Sequence, residues 1–160
     1  MKEEVMKTIS TSVRGDILID APFEDVWRSI FEFQQWAPTV GHAELISGEW
    51  DKQGRVILIT KKGESGMAPF YLETIKINHG RQIVNKIDTK EKSDPQCHGY
   101  VDISLSTVDS KTKVVYSNYL TRETAMSVED LQGPSGTEGI KGVYLKPLRD
   151  YVEATYGKSE

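Results

Sequence analysis

Tyrosine is the side chain through which this sequence offers the most chemistry. Six tyrosines fall inside predicted strands or on one face of a predicted helix, where the ring can be buried while the hydroxyl group stays available for a hydrogen bond. They are Tyr71, Tyr100, Tyr116, Tyr119, Tyr144 and Tyr151. In a closed chamber such hydroxyl groups, with Asn118 and Arg122, can orient a carbonyl or phenol group or act as weak general acids. The structural alternative is that each tyrosine only bridges core and solvent.

Metal binding and nucleophilic catalysis have little support. The three histidines, His42, His79 and His98, are far apart and lack metal-ligand spacing. The one cysteine, Cys97, adjoins His98 on a predicted strand, so the two side chains leave opposite faces and cannot hold one ion together. Cys97 is instead predicted to be a small buried or edge residue. We therefore expect no metal site and no cofactor, and the sequence assigns no catalytic residue.

Carboxylates are numerous, but most occupy predicted turns or polar faces where they are solvated. Asp102 and Glu73 lie inside predicted strands. Either residue faces a cavity only if the predicted alternation of that strand is shifted by one position.

The composition indicates one folded domain. The chain has 160 residues, of which 38% are hydrophobic and 28% charged, and its net charge is -4. An acidic balance gives no general attraction to nucleic acid. The start, MKEEVMK, leads into no apolar segment, and the aliphatic run Val56 to Ile59 is far too short to span a bilayer. We expect a cytoplasmic protein with a single domain over residues 1–160, and loosely ordered residues 1–10.

The first elements that must position a site are a strand and a helix. Residues Val13 to Asp20 have strand character, and Gly15 marks a bulge or a close approach of two segments. From Pro22 onward the apolar spacing changes to that of one helix face, with the helix ending near Gln35. That face consists of Phe23, Val26, Trp27, Ile30 and Phe31.

From Ala43 to Arg122 the pattern predicts six strands joined as an antiparallel meander. Turn signals recur at hairpin spacing. They are DKQG from Asp51, KKGESG from Lys61, NHGR from Asn78, KSDPQ from Lys92 and DSKTK from Asp109. One strand is ambiguous, because Phe70 and Leu72 fall on one face while Tyr71, Ile75 and Ile77 fall on the other.

The last quarter of the chain predicts a connector and a terminal helix. Residues 123–139 are predicted to be a flexible connector, with a mobile lid as the alternative, because glycines recur at every third position from Gly133 to Gly142. The helix that follows carries one apolar stripe and is expected to kink at Pro147. The stripe consists of Ile140, Val143, Tyr144, Leu148, Tyr151 and Val152.

The segment ILIDAPFEDVWRSIFEFQQW, from Ile17 to Trp36, resembles the opening signature of the START-like (SRPBCC) superfamily. The order of predicted elements resembles that family over nearly the whole chain. The resemblance implies an α+β helix-grip fold: a seven-stranded curved antiparallel sheet wraps a long C-terminal helix, and two short helices lie between strands 1 and 2. Gly139, Gly142 and Pro147 depart from the family's usually well-formed helix, so we expect this end to form part of a cavity entrance.

The function expected from this fold is the binding of a small, largely apolar organic molecule between the sheet and the terminal helix. The residues predicted to line the site are Trp36, Phe70, Leu72, Ile103, Tyr116, Asn118, Tyr144 and Leu148. Trp36 is predicted to close the chamber. Two alternatives remain open: a metal-free cyclase or dehydratase acting on a polyketide-like intermediate, and a module that binds a protein partner, as chaperone cofactors of this fold do. Lipid binding and a homodimer are further expectations.

Overall fold

The computed structural model describes residues 7–37, 40–61, 69–89, 97–124 and 134–156. Seven strands in this part of the chain are β1 (Lys7–Ile19), β2 (Val40–Ser47), β3 (Val56–Lys61), β4 (Phe70–Asn78), β5 (Gln82–Thr89), β6 (Cys97–Val108) and β7 (Lys111–Thr124). The helices are α1 (Phe23–Phe31), α2 (Phe33–Trp36), α3 (Pro134–Ile140) and α4 (Lys146–Tyr156), with a π-helical turn, π1 (Lys141–Leu145), between the last two.

All seven strands form one antiparallel sheet. Its order is β1-β7-β6-β5-β4-β3-β2, so consecutive strands from β2 to β7 are neighbours and β1 pairs with β7. The two short helices α1 and α2 connect β1 and β2, which lie at opposite edges. The predicted meander and the predicted helix-grip architecture are confirmed.

The ambiguous strand, β4, contains a bulge. The register with β5 shifts between Thr74 and Lys76, which inserts one residue into β4. Because one extra residue reverses the faces that follow it, Phe70 and Leu72 face inward before the bulge and Ile77 packs on the core after it. The bulge therefore explains why no single alternation fitted this strand.

The helix predicted from Pro22 is two helices. Pro22 precedes α1, whose buried face includes Val26, Trp27 and Ile30. The chain then breaks at Glu32 and continues as α2 to Trp36. The corner before α1 is held by Thr112, whose hydroxyl group donates to the carbonyl of Ala21 at 2.8 Å.

The terminal helical segment does not carry the single stripe that the spacing predicts. The π-helical turn adds a residue to one turn, which rotates the residues after it relative to those before it. Leu145, which the predicted stripe omits, is fully buried, as are Leu148 and Val152. Tyr144, by contrast, lines a cavity. The change of phase lies at π1, just before Pro147.

The boundaries of two predicted segments, residues 1–10 and 123–139, differ from those of the elements in the structure. Strand β1 begins at Lys7, so only residues 1–6 of the predicted loose segment lie outside the described residues. Of the predicted connector, 123–139, residues 123–124 belong to β7 and residues 134–139 are helical, whereas residues 125–133 lie outside the described part. No helix in the described ranges is both long and apolar enough to cross a membrane.

Gly15 is a site of close approach and not a bulge. The pairing of β1 with β7 runs without a register shift through this residue. A Cβ atom at Gly15 would lie 3.3 Å from side-chain atoms of both Ile140 and Leu145. Glycine therefore lets α3 and π1 pack directly on β1.

Candidate ligand cavity

A cavity of about 380 Å³ lies between the sheet and the helical segments. Strands β3 to β7 form one wall, and residues of α1, α2, α3 and π1 form the other. The lining residues are Ile30, Phe33, Ala37, Arg55, Ile59, Phe70, Leu72, Asn85, Ile87, Val101, Ile103, Tyr116, Asn118, Leu120, Arg122, Gly139, Ile140, Val143 and Tyr144. Most of this surface is apolar, and its polar groups come from a few side chains.

The structure brings most of the predicted site residues to this cavity. Phe70, Leu72, Ile103, Tyr116, Asn118 and Tyr144 all line it. Whether they contact a ligand stays a prediction.

Two predicted lining residues, Trp36 and Leu148, lie elsewhere. The indole of Trp36 donates a hydrogen bond to the carbonyl of Ser29 at 2.8 Å, and its ring meets that of Tyr144 edge-on at 5.0 Å between centroids. Trp36 therefore packs against a lining residue, Tyr144, and is not itself among the residues that line the cavity. Leu148 is fully buried in the core, because π1 rotates α4 relative to the cavity-facing residues before it.

Polar side chains of the cavity form a row across the middle of the sheet. Asn85 pairs with Thr74 on one side and with Val101 on the other, and Val101 in turn pairs with Asn118. Arg55, just before β3, is fixed opposite Thr74, whose backbone amide donates to the Arg55 carbonyl at 3.0 Å. Because residues paired across strands share a face, this row points toward the cavity side of the sheet.

Arg55 is the most unusual member of this row, since only 2% of it is exposed. Its guanidinium carbon lies 5.0 Å from the ring centre of Phe31 and 5.5 Å from that of Trp50. One terminal nitrogen donates to the carbonyl of Trp50. Burial lowers the pKa of Arg55 to about 10, which still leaves the side chain charged at neutral pH.

A hydroxyl relay joins Arg55 to Asn85. Arg55 Nε can only donate, so the hydroxyl group of Thr74 accepts from it, at 2.8 Å. The Thr74 proton is then free for Asn85 Oδ1, 2.7 Å away. This order fixes the orientation of the Asn85 amide, because its oxygen must face Thr74. The NH₂ group of Asn85, a residue that lines the cavity, is left as a donor.

Two tyrosine side chains, Tyr116 and Tyr144, line the same cavity as this row. The rings of Tyr116 and Tyr144 lie 4.6 Å apart between centroids. Burial raises the pKa of Tyr116 to about 12 and raises that of Tyr144 well above its usual range, the latter further through the nearby phenol of Tyr116. Both hydroxyl groups therefore remain protonated and can donate hydrogen bonds at neutral pH.

Asn118 and Arg122 supply further polar atoms along β7. Asn118 Oδ1 and Arg122 Nε are buried and have no hydrogen-bond partner in the described part of the protein. Arg122 pairs with Cys97 across β6 and β7. As predicted, Cys97 is buried, and its burial raises the pKa of the thiol, partly offset by Arg122.

Other candidate groups face away from the cavity. Tyr100 and Tyr119, which pair across β6 and β7, are 46% and 52% exposed. Asp102 accepts hydrogen bonds from Gln82 and Ser104, and Glu73 is exposed. The predicted alternation was therefore not shifted at either carboxylate.

Arg55 and Asn85 are the polar lining residues that the sequence analysis missed. A charged residue beside the turn DKQG suggests solvent exposure. The available signal was spacing: Arg55 shares its strand face with Ile57 and Ile59, and those two are 0% and 4% exposed. Because Arg55 alternates in step with two inward-facing isoleucines, its side chain should face inward as well.

Together these features define the class of protein: a helix-grip protein with an apolar internal cavity that carries a central polar row. No protein-family model matches the sequence, and no curated protein matches it. Many solved structures, however, share its fold.

Three of these structures illustrate the likeness. An uncharacterized protein from Rhizobium leguminosarum has a TM-score of 0.72 at 12% identity, covering 94% of this chain and 99% of its own. Ara h 8.0201 has a TM-score of 0.68 at 12% identity, covering 91% and 99%. Norcoclaurine synthase from Thalictrum flavum, in complex with dopamine and hydroxybenzaldehyde, has a TM-score of 0.62 at 12% identity, covering 96% and 91%. At these identities the likeness shows the fold alone, and the expected helix-grip fold is confirmed.

Proposed function

We propose that this protein binds a small, largely apolar organic molecule in the cavity between the sheet and the helical segments. The observation that carries the proposal is the cavity itself: about 380 Å³ lined mainly by apolar side chains, with a few polar groups converging on it. Protein interiors are normally close-packed, so a chamber of this size is costly unless something occupies it.

Binding is favoured over catalysis by the chemistry of the lining. Among the described residues, the cavity is lined by no Asp, Glu, His or Lys side chain. The phenols of Tyr116 and Tyr144 hold their protons tightly, which suits hydrogen-bond donors better than groups that exchange a proton near neutral pH. In the part of the chain that the structure describes, the cyclase or dehydratase alternative has no comparable feature in its support.

The comparisons support the proposal by analogy of fold alone. The norcoclaurine synthase structure contains dopamine and hydroxybenzaldehyde, two small aromatic molecules. Lipid binding, a homodimer and a cytoplasmic location are finer expectations from the sequence that we retain as part of this proposal.

A neutral fluorescent probe tests the proposal. N-phenyl-1-naphthylamine is apolar and uncharged, and its emission rises when it leaves water for an apolar site. We expect saturable binding to the wild-type protein and at least a tenfold weaker affinity for Val101→Phe, because the larger ring occupies the cavity that Val101 lines.

Val115→Phe is the matched control. Val115 lies between Val114 and Tyr116 on β7, on the opposite face from these two inward residues, so the same substitution there leaves the cavity unchanged. Equal affinities for the wild-type protein and Val101→Phe, or no saturable binding at all, would contradict the proposal. Native mass spectrometry of the protein as purified provides a direct search for a bound molecule.

A further inference from the structure

We propose that the natural ligand carries a carboxylate group and that the guanidinium of Arg55 binds it inside the cavity. This inference rests on the proposed function and adds the chemical class of the ligand: an apolar body, aromatic or aliphatic, that bears one acid group.

The first argument is that Arg55 is a buried cation with no carboxylate in contact, since the negative charge of Asp51 acts on it without forming an ion pair. It is 2% exposed, and no Asp or Glu forms an ion pair with it among the described residues. The rings of Phe31 and Trp50 and two hydrogen bonds offset part of the cost of removing the charge from water. A buried charge is ordinarily paired with an opposite charge as well, because desolvation otherwise destabilises the folded protein.

The second argument is that the hydrogen-bonding groups next to Arg55 that remain free for a ligand are donors, whereas the unpartnered acceptor Asn118 Oδ1 lies at the far end of the row on β7. The Thr74 relay leaves the NH₂ group of Asn85 as a donor, and Asn85 and Arg55 each lie one hydrogen bond from the same hydroxyl oxygen. The phenol of Tyr144 is close enough to Arg55 for each to affect the other's ionisation. A carboxylate accepts several hydrogen bonds at once, so it matches this set better than a ligand group that must donate.

The third argument concerns the rest of the cavity. Away from this cluster the wall consists of side chains such as Leu72, Ile87 and Leu120. An apolar body buried there supplies affinity, whereas Arg55 at the central row selects for the charged end. The combination fits an amphipathic acid and disfavours a uniformly apolar molecule.

A matched pair of compounds tests the charge. Biphenyl-4-carboxylic acid and biphenyl-4-carboxamide have nearly the same shape, but only the acid is anionic at neutral pH. We expect calorimetry on the wild-type protein to give at least a tenfold higher affinity for the acid. Equal affinities, or a preference for the amide, would overturn this proposal while leaving the proposed function intact. Absence of binding by both compounds and by the neutral naphthylamine probe would overturn both.

Two variants test the residue. Arg55→Met keeps an apolar stem of similar length and removes the charge, so the preference for the acid should disappear while amide affinity changes less than threefold. Arg122→Met, which removes the other guanidinium lining the cavity, should keep the preference. The reverse result would overturn the assignment to Arg55. If Arg55→Met does not fold, Arg55→Lys retains the charge and should keep the preference for the acid. Loss of that preference in Arg122→Met would then count against Arg55.

Discussion

The phenol of Tyr116 shows how burial within the cavity wall controls a single side chain. Burial alone raises its pKa to about 12, because the phenolate would lose its hydration. An unfolded tyrosine ionises at a pKa of about 10. Between these two values the folded protein holds a proton that the unfolded chain has lost, so stability falls as the pH rises through this range.

We therefore predict a difference in alkaline stability between the wild-type protein and Tyr116→Phe. From about pH 9.5 to about pH 11.5, the free energy of unfolding of the wild-type protein should fall by about 1.5–2 kcal/mol relative to the variant. Arg55 acts in the opposite direction, since burial lowers its pKa to about 10. Because both proteins contain Arg55, its contribution cancels in the difference.

Urea unfolding followed by circular dichroism at a series of pH values measures this difference. Tyr100→Phe, which removes an exposed phenol on the outer face, controls for the loss of a hydroxyl group. Parallel stability curves for the wild-type protein and Tyr116→Phe would show that the Tyr116 phenol is not held neutral by burial.

Arg55 and Trp36 show where single residues escape prediction. The spacing of Arg55 with Ile57 and Ile59 indicates that its side chain points inward. Its charge and its position beside a turn indicate solvent exposure instead. Trp36 lies outside the α1 stripe, and its contacts are with Ser29 and with a ring 108 positions further along the chain, in Tyr144. Contacts between residues so distant in sequence leave no local pattern to recognise.

At the scale of elements, the contact between β1 and the helical segment depends on the absence of a side chain. Gly15 gives α3 and π1 direct access to the strand, with Ile140 and Leu145 in the space that a Cβ atom would enter. Leu145 is fully buried there. This contact positions π1, whose residues Val143 and Tyr144 line the cavity.

Gly15→Val is predicted to destabilise the protein by about 1–3 kcal/mol, because its methyl groups overfill a packed contact. The gain in strand propensity from valine, up to about 1 kcal/mol, offsets only part of this. Asp16→Val is the matched control: it introduces the same side chain at the adjacent, exposed position of β1. Urea unfolding with an unchanged m-value measures both. A Gly15→Val variant as stable as Asp16→Val would contradict the role of this contact.

The elements themselves followed the sequence patterns where those patterns were regular. The meander and the helix after Pro22 were predicted from turn residues and apolar spacing, and both are present. Departures occur where one residue is inserted, at the β4 bulge near Thr74 and in π1. An inserted residue leaves the composition of a strand or helix unchanged but shifts which face each later residue occupies. A prediction that assumes a constant repeat therefore places the residues after the insertion on the wrong face.

At the scale of the whole molecule, the terminal helix is attached to the rest of the protein in two different ways. Its last part, α4, is held by side-chain contacts outside the cavity: Glu153 accepts from the amide of Asp20 at 2.9 Å, and Tyr156 donates to Glu32 at 3.1 Å. The preceding α3 and π1 form part of the cavity wall through Gly139, Ile140, Val143 and Tyr144.

This division predicts an uneven response to a ligand. A molecule in the cavity contacts α3 and π1 together with the sheet, so it should suppress local opening of residues 134–145 more than that of residues 149–156. Hydrogen exchange followed by mass spectrometry, with and without saturating N-phenyl-1-naphthylamine, measures the two segments in one sample. We expect at least a tenfold slowing of exchange in the first segment relative to the second. Equal slowing in both would indicate that the ligand stabilises only the global fold, and the expected role of this segment at the cavity entrance would then be wrong.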